Sequence, residues 1–220
     1  MNTHHAFAFQ SHTLWALAEG ALWWPDERLL CVSDLHLGKS DRIARRTGAM
    51  LPPYETQDTL DRLGTLINTY DPTQVICLGD SFDDLDAALS LSDMHHRDVA
   101  RLQAGRRWTW IEGNHDPGPI EIGGQHMAEL TLDGLTFRHI AERKAEGEIS
   151  GHYHPKCRLS RGGSRPAFLI STDRIILPAF GTYTGGLRAT DPALKRIIPQ
   201  DATAILTGRK AMPVPFKATG

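Results

Sequence analysis

Cysteine is scarce and scattered. Cys31, Cys77 and Cys157 are an odd number spread over 220 positions, which excludes a disulfide framework of the kind that staples small secreted domains. Cys31 and Cys77 stand inside apolar runs, where a free thiol behaves as a small hydrophobe. An excess of one charge is also lacking. Lys and Arg number 24 against 26 Asp and Glu, a net charge of −2, so a polycation that coats nucleic acid indiscriminately is excluded, although a local basic patch is not. Nowhere do 18 consecutive apolar residues occur, and the opening Met1-Asn2-Thr3-His4-His5 carries no basic stretch leading into an apolar one. A soluble cytoplasmic protein without membrane association is expected. No internal repeat, low-complexity tract or linker rich in Gly, Ser or Pro interrupts the chain.

What remains is ordinary globular composition, 40% hydrophobic and 23% charged, enough to build a core without covalent staples. One domain over residues 1–220 is expected. Short β-type runs at His5–Phe9 and Thr13–Ala18 open the chain, and Leu29–Ser33 reads as a buried strand. A basic stretch between Gly38 and Gly48 is a candidate helix capped by Ser40. Thr56–Tyr70 places Leu60, Leu63, Leu66 and Ile67 on one helical face. Val75–Leu78 is a strand, Leu85–Leu102 a helix and Trp108–Ile111 a strand. Short strands follow at Met127–Leu132, Leu135–Arg138, Glu148–Ser150, Cys157–Leu159, Phe168–Ser171 and Ile175–Leu177. A βαβαβ order followed by many short strands predicts a mixed α/β architecture of two packed sheets flanked by helices.

Histidine is the unusual abundance, with eleven residues. Five polar clusters stand directly after five strand-like runs: Asp34-Leu35-His36, Gly79-Asp80-Ser81-Phe82-Asp83, Gly113-Asn114-His115-Asp116, His139, and Gly151-His152-Tyr153-His154. In open α/β sheets ligands bind beyond the carboxyl ends of the strands, so the five would share one rim. Singly they carry little weight. With the Asp and His content of this chain, about one Asp-x-His pair arises by chance, and Gly-Asp is a common turn. Together they place ligand-type residues after strand after strand. Asp34, His36, Asp80, Asn114, His139, His152 and His154 supply carboxylate, imidazole and amide donors without thiolate, a set suited to Mn²⁺, Fe or Zn²⁺. Seven ligands are too many for one open catalytic ion. They suit two divalent ions about 3.5–4 Å apart, which clamp the attacking and leaving oxygens of an in-line displacement at phosphorus.

This ordered set resembles the calcineurin-like metallophosphoesterase superfamily. The resemblance implies a four-layer αββα sandwich, a phosphoesterase activity and two divalent ions, Mn²⁺ foremost. It implies Asp34, His36, Asp80 and His154 on one ion, with Asp80 bridging to a second held by Asn114, His139 and His152. His115 is implied near the leaving group, as general acid or charge stabiliser, with Asp83 as the carboxylate that orients it. The superfamily often has Gly after the lone histidine where this chain has Ile140, which makes His139 the least secure ligand, with His126 a weaker alternative. A narrower resemblance, to the bacterial ligase-associated metallophosphoesterases, rests on Leu22-Trp23-Trp24-Pro25, on Ser33–Lys39, on Gly48 with Leu51-Pro52, and on Leu177–Gly181 with Thr184–Leu187. It implies a phosphodiesterase (an endonuclease of DNA repair) associated functionally with a DNA ligase and a helicase.

Lys39, Arg42, Arg45 and Arg46 begin three residues after His36, at the mouth of such a site, and are candidate contacts for a phosphate backbone; a solvated helix face is the plainer account. Trp23, Trp24, Trp108 and Trp110 offer base-stacking surfaces, although the alternation of Trp108 and Trp110 within a strand fits core packing better. A small-molecule phosphatase or dinucleoside-polyphosphate hydrolase is the competing reading, favoured by a narrow capped pocket.

Overall fold

Leu29-Leu30-Cys31-Val32 shows no polar alternation because both of its faces are covered. Leu29 and Cys31 pack into one buried cluster, Leu30 and Val32 into another. Val75-Ile76-Cys77-Leu78 divides between the same two clusters, as expected of parallel strands buried on both sides. The computed structural model describes residues 3–48, 52, 54–89, 91–118, 121–158, 163–216 and 219, without the side chains of Asp41, Arg46 and Leu85. The elements run β1 (His4–Phe9), β2 (His12–Leu17), β3 (Leu22–Trp24), β4 (Leu29–Val32), α1 (Lys39–Thr47), α2 (Glu55–Tyr70), β5 (Gln74–Leu78), α3 (Leu85–Leu89), α4 (Asp93–Gln103), β6 (Arg107–Ile111) and β7 (Gln125–Met127). They continue through β8 (Glu129–Leu132), β9 (Leu135–Arg138), β10 (Glu148–Ser150), β11 (Lys156–Arg158), β12 (Ser164–Ile170), β13 (Arg174–Ile176), α5 (Pro192–Lys195), β14 (Thr203–Leu206) and β15 (Met212–Pro215).

The first sheet has the order β1-β2-β3-β4-β5-β6-β7, antiparallel as far as β4 and parallel from β4 to β7. The second has the order β15-β14-β12-β13-β10-β9-β8, with β11 attached to β12; β13, β10 and β9 are mutually parallel. The sheets face each other across a core that includes Trp24, Cys31, Ile76, Leu78, Phe137, Ile149, Phe168 and Ile175. Leu60, Leu63, Ile67, Val99 and Leu102 of α2 and α4 cover the outer face of the first sheet, over Trp23, Trp108 and Trp110. The four tryptophans considered for base stacking are therefore core residues, each no more than 6% exposed. The outer layer of the second sheet is thin: α5 with Ile198 and Phe216, over Cys157, Leu169 and Leu206. The α/β sandwich of two mixed sheets with flanking helices is present, its fourth layer reduced to one helical turn. No helix among the described residues is long and apolar enough to cross a membrane.

Several local expectations differ from what is observed. Leu85–Leu102 is two helices, because Ser92 takes an extended conformation and its hydroxyl accepts the His95 N–H at 3.2 Å, starting α4 anew. Met127–Leu132 is two strands in different sheets, β7 and β8, parted at Ala128. The break was masked because Met127, Leu130 and Leu132 all pack against the same inter-sheet core. Strands β14 and β15 escaped the reading. Pro213 and Pro215 break the pattern in β15, yet it is an edge strand, where a missing N–H costs no ladder bond.

Ser40 does not cap α1. The helix starts at Gly38, and Glu55 at the head of α2 reaches across to it. Glu55 Oε1 accepts the Ser40 N–H at 3.0 Å and the Ser40 hydroxyl at 2.7 Å, with the Glu55 side chain only 2% exposed. A carboxylate at a helix N-terminus satisfies a free N–H and complements the helix dipole. Replacing Glu55 with Ala strands these buried donors and is expected to cost about 1–3 kcal/mol in urea unfolding. A variant with wild-type stability would remove this contact from the account of how α1 is held.

Candidate metal centre

The five polar clusters meet. β4, β5 and β6 are parallel neighbours, so the turns that follow them leave one edge of the first sheet together. Parallel β9 and β10 of the second sheet release His139 and the segment 151–154. The first two turns are zipped by backbone bonds, His36 N–H to the Asp80 carbonyl at 3.0 Å and Leu37 N–H to the Ser81 carbonyl at 2.9 Å. Two bonds lock one sheet to the other: His152 N–H donates to Asp34 Oδ2 at 3.0 Å, and His139 Nδ1 lies 2.9 Å from the Leu78 carbonyl oxygen. Two glycines are required by this crowding. A Cβ on Gly113 would lie 2.1 Å from the Asp80 nitrogen, and one on Gly79, at φ 68°, would lie 2.5 Å from the His139 ring. Asp34, His36, Asp80, His152 and His154 all have φ between 44° and 68°, the left-handed region that side chains rarely adopt and that persists where the surroundings enforce it.

Two groups of ligand atoms result. Asp34, His36 and His154 form one; Asp80, His139 and His152 form the other, and within each the ligand atoms lie within 4.8 Å of one another. His139 Nε2 is 3.3 Å from Asp80 Oδ2 and 3.2 Å from His152 Nδ1. A carbonyl oxygen only accepts, so Leu78 fixes the proton of His139 on Nδ1 and leaves Nε2 its lone pair. His36 Nδ1 lies 2.9 Å from Asp83 Oδ1, an ion-pair approach. Asp34 Oδ1, His36 Nε2 and His154 Nε2 are buried without a hydrogen-bond partner among the described residues. Buried polar atoms are costly unless satisfied, and two clusters of nitrogen and oxygen donors with such atoms fit divalent cations.

The electrostatics agree. Burial opposes ionisation of Asp34, yet His154, whose Nε2 lies 3.0 Å from Asp34 Oδ1, and the charge of His139 hold its pKa below the usual value. Burial likewise opposes ionisation of Asp80, but His139 and the His115 N–H hold it far lower. Burial disfavours a charged His139, but Asp80, whose Oδ2 lies 3.3 Å from His139 Nε2, and the charge of Asp34 raise its pKa, marking a spot that favours positive charge. Burial, with His139 alongside, lowers that of His152.

The other expected residues fall into place unevenly. Asn114 is exposed and shares a 330 Å³ cavity with His139. His115 is held at both ends, its N–H donating to Asp80 Oδ1 at 2.9 Å and its Nδ1 2.8 Å from the Asp83 carbonyl oxygen; its Nε2 lies 4.0 Å from Asp80 Oδ2. Asp83 thus touches His115 through its backbone. Its carboxylate, expected to orient His115, is instead taken by His36, by Arg42 at 2.6 Å and by Lys39 at 3.7 Å. Arg45 pairs with Asp84 at 3.0 Å, and the Arg46 side chain lies outside the described ones. The basic stretch is accordingly turned onto two acids rather than held open for a phosphate. His126, in β7, packs on the Trp110 ring and belongs to neither ligand group.

Two contributors were missed. Asp116 accepts four backbone N–H bonds, from Asp80 and Gly113 at 3.0 Å, Ser81 at 2.7 Å and Phe82 at 3.2 Å, and so clamps the turn after β5 to the turn after β6. Burial, together with the Asp80 charge, pushes its pKa up to about 6 against those bonds. Its place in Gly113-Asn114-His115-Asp116 was the available signal. The Ser33 hydroxyl, adjacent in sequence, donates to Asp34 Oδ2.

Asp83 yields a pH prediction. Burial opposes its ionisation, but His36, Arg42 and Lys39 lower its pKa from 3.8 to about 2. A depressed folded-state value contributes stability that is full above 3.8 and lost as pH falls through about 2. In the presence of chelator, thermal unfolding of Asp83→Asn should therefore depend less steeply on pH across that window than wild type. Parallel curves would show that Asp83 is not paired as described.

A calcineurin-like phosphoesterase family model matches residues 27–188. The crystal structure of the Pseudomonas putida nuclease MPE is similar over 96% of this chain and 100% of that one, with a TM-score of 0.78 and 28% sequence identity. Yfce, a phosphoesterase from E. coli, is similar over 86% of this chain and 98% of its own, with a TM-score of 0.41 and 11% identity. A search of curated proteins found no match. With its ligand turns assembled from both sheets, the chain belongs to the calcineurin-like phosphoesterase family and is a metal-dependent phosphoesterase.

Proposed function

We propose that the protein is a two-metal phosphodiesterase that cleaves nucleic acid, DNA foremost, in the cytoplasm and in functional association with a DNA ligase and a helicase. The observation that carries the catalytic part is the side-by-side placement of Asp34, His36 and His154 with Asp80, His139 and His152, with His115 against Asp80. The similarity to a nuclease over nearly the whole chain supports the substrate class. Mn²⁺ is the proposed metal; a mixed carboxylate and imidazole set without thiolate admits Fe or Zn²⁺ as well.

Bound divalent ions would supply an activated water and neutralise charge developing on the phosphoryl group. The chain's own residues do the rest. Asp34, His36 and His154 would hold one ion and Asp80, Asn114, His139 and His152 the other, with Asp80 shared. The Leu78 carbonyl keeps His139 in the tautomer that presents Nε2. The Asp83 carbonyl accepts the Nδ1 proton of His115; in the imidazolium form, the ring would give its Nε2 proton to the departing oxygen or stabilise the charge developing there.

His115→Ala should lower kcat about 10²- to 10⁴-fold while metal content is kept, as read by a bis-p-nitrophenyl phosphate assay with elemental analysis; loss of the ions instead would contradict the role given to His115. Asp80→Asn should deplete both ions, and full occupancy in that variant would refute sharing. Mn²⁺-loaded wild type should cleave bis-p-nitrophenyl phosphate and single-stranded DNA. A strong preference for the p-nitrophenyl monoester would instead make the protein a small-molecule phosphatase.

A further inference from the structure

The segment that follows His139 separates two cavities of opposite character. On one side, the 330 Å³ cavity shared by Asn114 and His139 is lined by Glu112, Glu129 and Glu142. Its one cation, Arg138, is committed to Glu129 at 2.8 Å and to Glu142. On the other side, a 600 Å³ cavity is lined by Arg143, Lys144, Arg196, Tyr153, Ala141 and Ile197, with no carboxylate in its wall.

The second cavity is built from the loops that carry the ligands. Ala141 and Arg143 follow His139 by two and four residues, and Tyr153 stands between His152 and His154. The Tyr153 ring meets the His152 ring edge-on at 5.0 Å, so one aromatic wall borders both the ligand group and the cavity. Arg143, Lys144 and Arg196 are exposed. Among the described residues none of the three makes a side-chain hydrogen bond or an ion pair, whereas Lys39, Arg42 and Arg45 are turned onto Asp83 and Asp84. Unpaired cations around an aromatic ring are the means by which proteins hold a single strand, the cations on its phosphates and the ring against a base. The volume lies in the range that takes a nucleotide-sized ligand.

We propose that this cavity is the subsite for the strand flanking the scissile phosphodiester. Nucleic acid with its scissile phosphate at the two ligand groups runs over His152 into the cavity. There Arg143, Lys144 and Arg196 neutralise its phosphates and Tyr153 borders a base, while the acidic cavity on the opposite side repels it. The inference rests on the nucleic-acid reading and deepens it.

The test compares kcat/KM for a fluorescein-labelled single-stranded oligonucleotide with that for bis-p-nitrophenyl phosphate, which has no flanking strand. Removing the three cations together (Arg143→Ala, Lys144→Ala and Arg196→Ala) should reduce kcat/KM on the oligonucleotide about tenfold or more beyond any loss on the small diester, through KM. The slope of log kcat/KM against log salt should flatten by about 2, three cations at about 0.7 each on a single strand. Arg196→Ala alone, on a different segment from the other two, should show the same selective loss in smaller measure. Equal effects on the two substrates, or an unchanged salt slope, would overturn the subsite while leaving the nuclease reading intact. A wild-type enzyme that cleaves the small diester but no oligonucleotide would overturn the nucleic-acid reading itself.

Discussion

Buried carboxylates and imidazoles are costly to take out of water, so the centre exists only because its turns are tied to backbone on every side. Asp34 accepts an N–H from the opposite sheet, His139 is aimed by a carbonyl at the end of β5, and Asp116 gathers four N–H groups from two turns. These bonds hold five ligand-bearing residues in left-handed backbone conformations that a freer loop would abandon. The two-sheet core beneath fixes the strand ends from which the turns depart. Catalytic groups borne on rigid strands, with their orientation set by neighbouring acceptors, need little reorganisation when substrate arrives.

Charge is distributed with equal economy of purpose. The stretch after His36 looks, in sequence, like a platform for phosphates, but Asp83 and Asp84 draw Lys39, Arg42 and Arg45 inward. That pairing serves the centre: Asp83, supported by two cations, remains ionised and steers His36 Nδ1, and Glu55 holds the start of the helix that brings the cations in. Arg143, Lys144 and Arg196, on the loop after β9 and at the end of α5, line a separate cavity.

Much of the ligand set was legible because each member follows a run of apolar residues that had to be a strand. β4, β5 and β6 are buried on both faces, so their hydrophobic runs end where the chain reaches the rim, and the polar residues there stand out. Less legible was anything decided by a contact across the chain. Helix α1 is capped by Glu55, fifteen residues on, and no local rule points to it. The division of Met127–Leu132 between two sheets was hidden because both halves face one core. Asp83 precedes His115 by 32 residues; its carboxylate found His36, and only its carbonyl reached His115.

By itself, then, the order of residues determined the strand-and-turn alternation and the kinds of donor at each strand end, since burial pattern and side-chain chemistry are local properties. Which donor faces which, which tautomer each imidazole keeps, and which cations are left unpaired were decided by tertiary structure. Those outcomes depend on distances of a few ångströms between segments far apart in sequence, 118 residues for His152 and Asp34, and Coulombic and hydrogen-bond energies at such range are set by packing rather than by sequence neighbours.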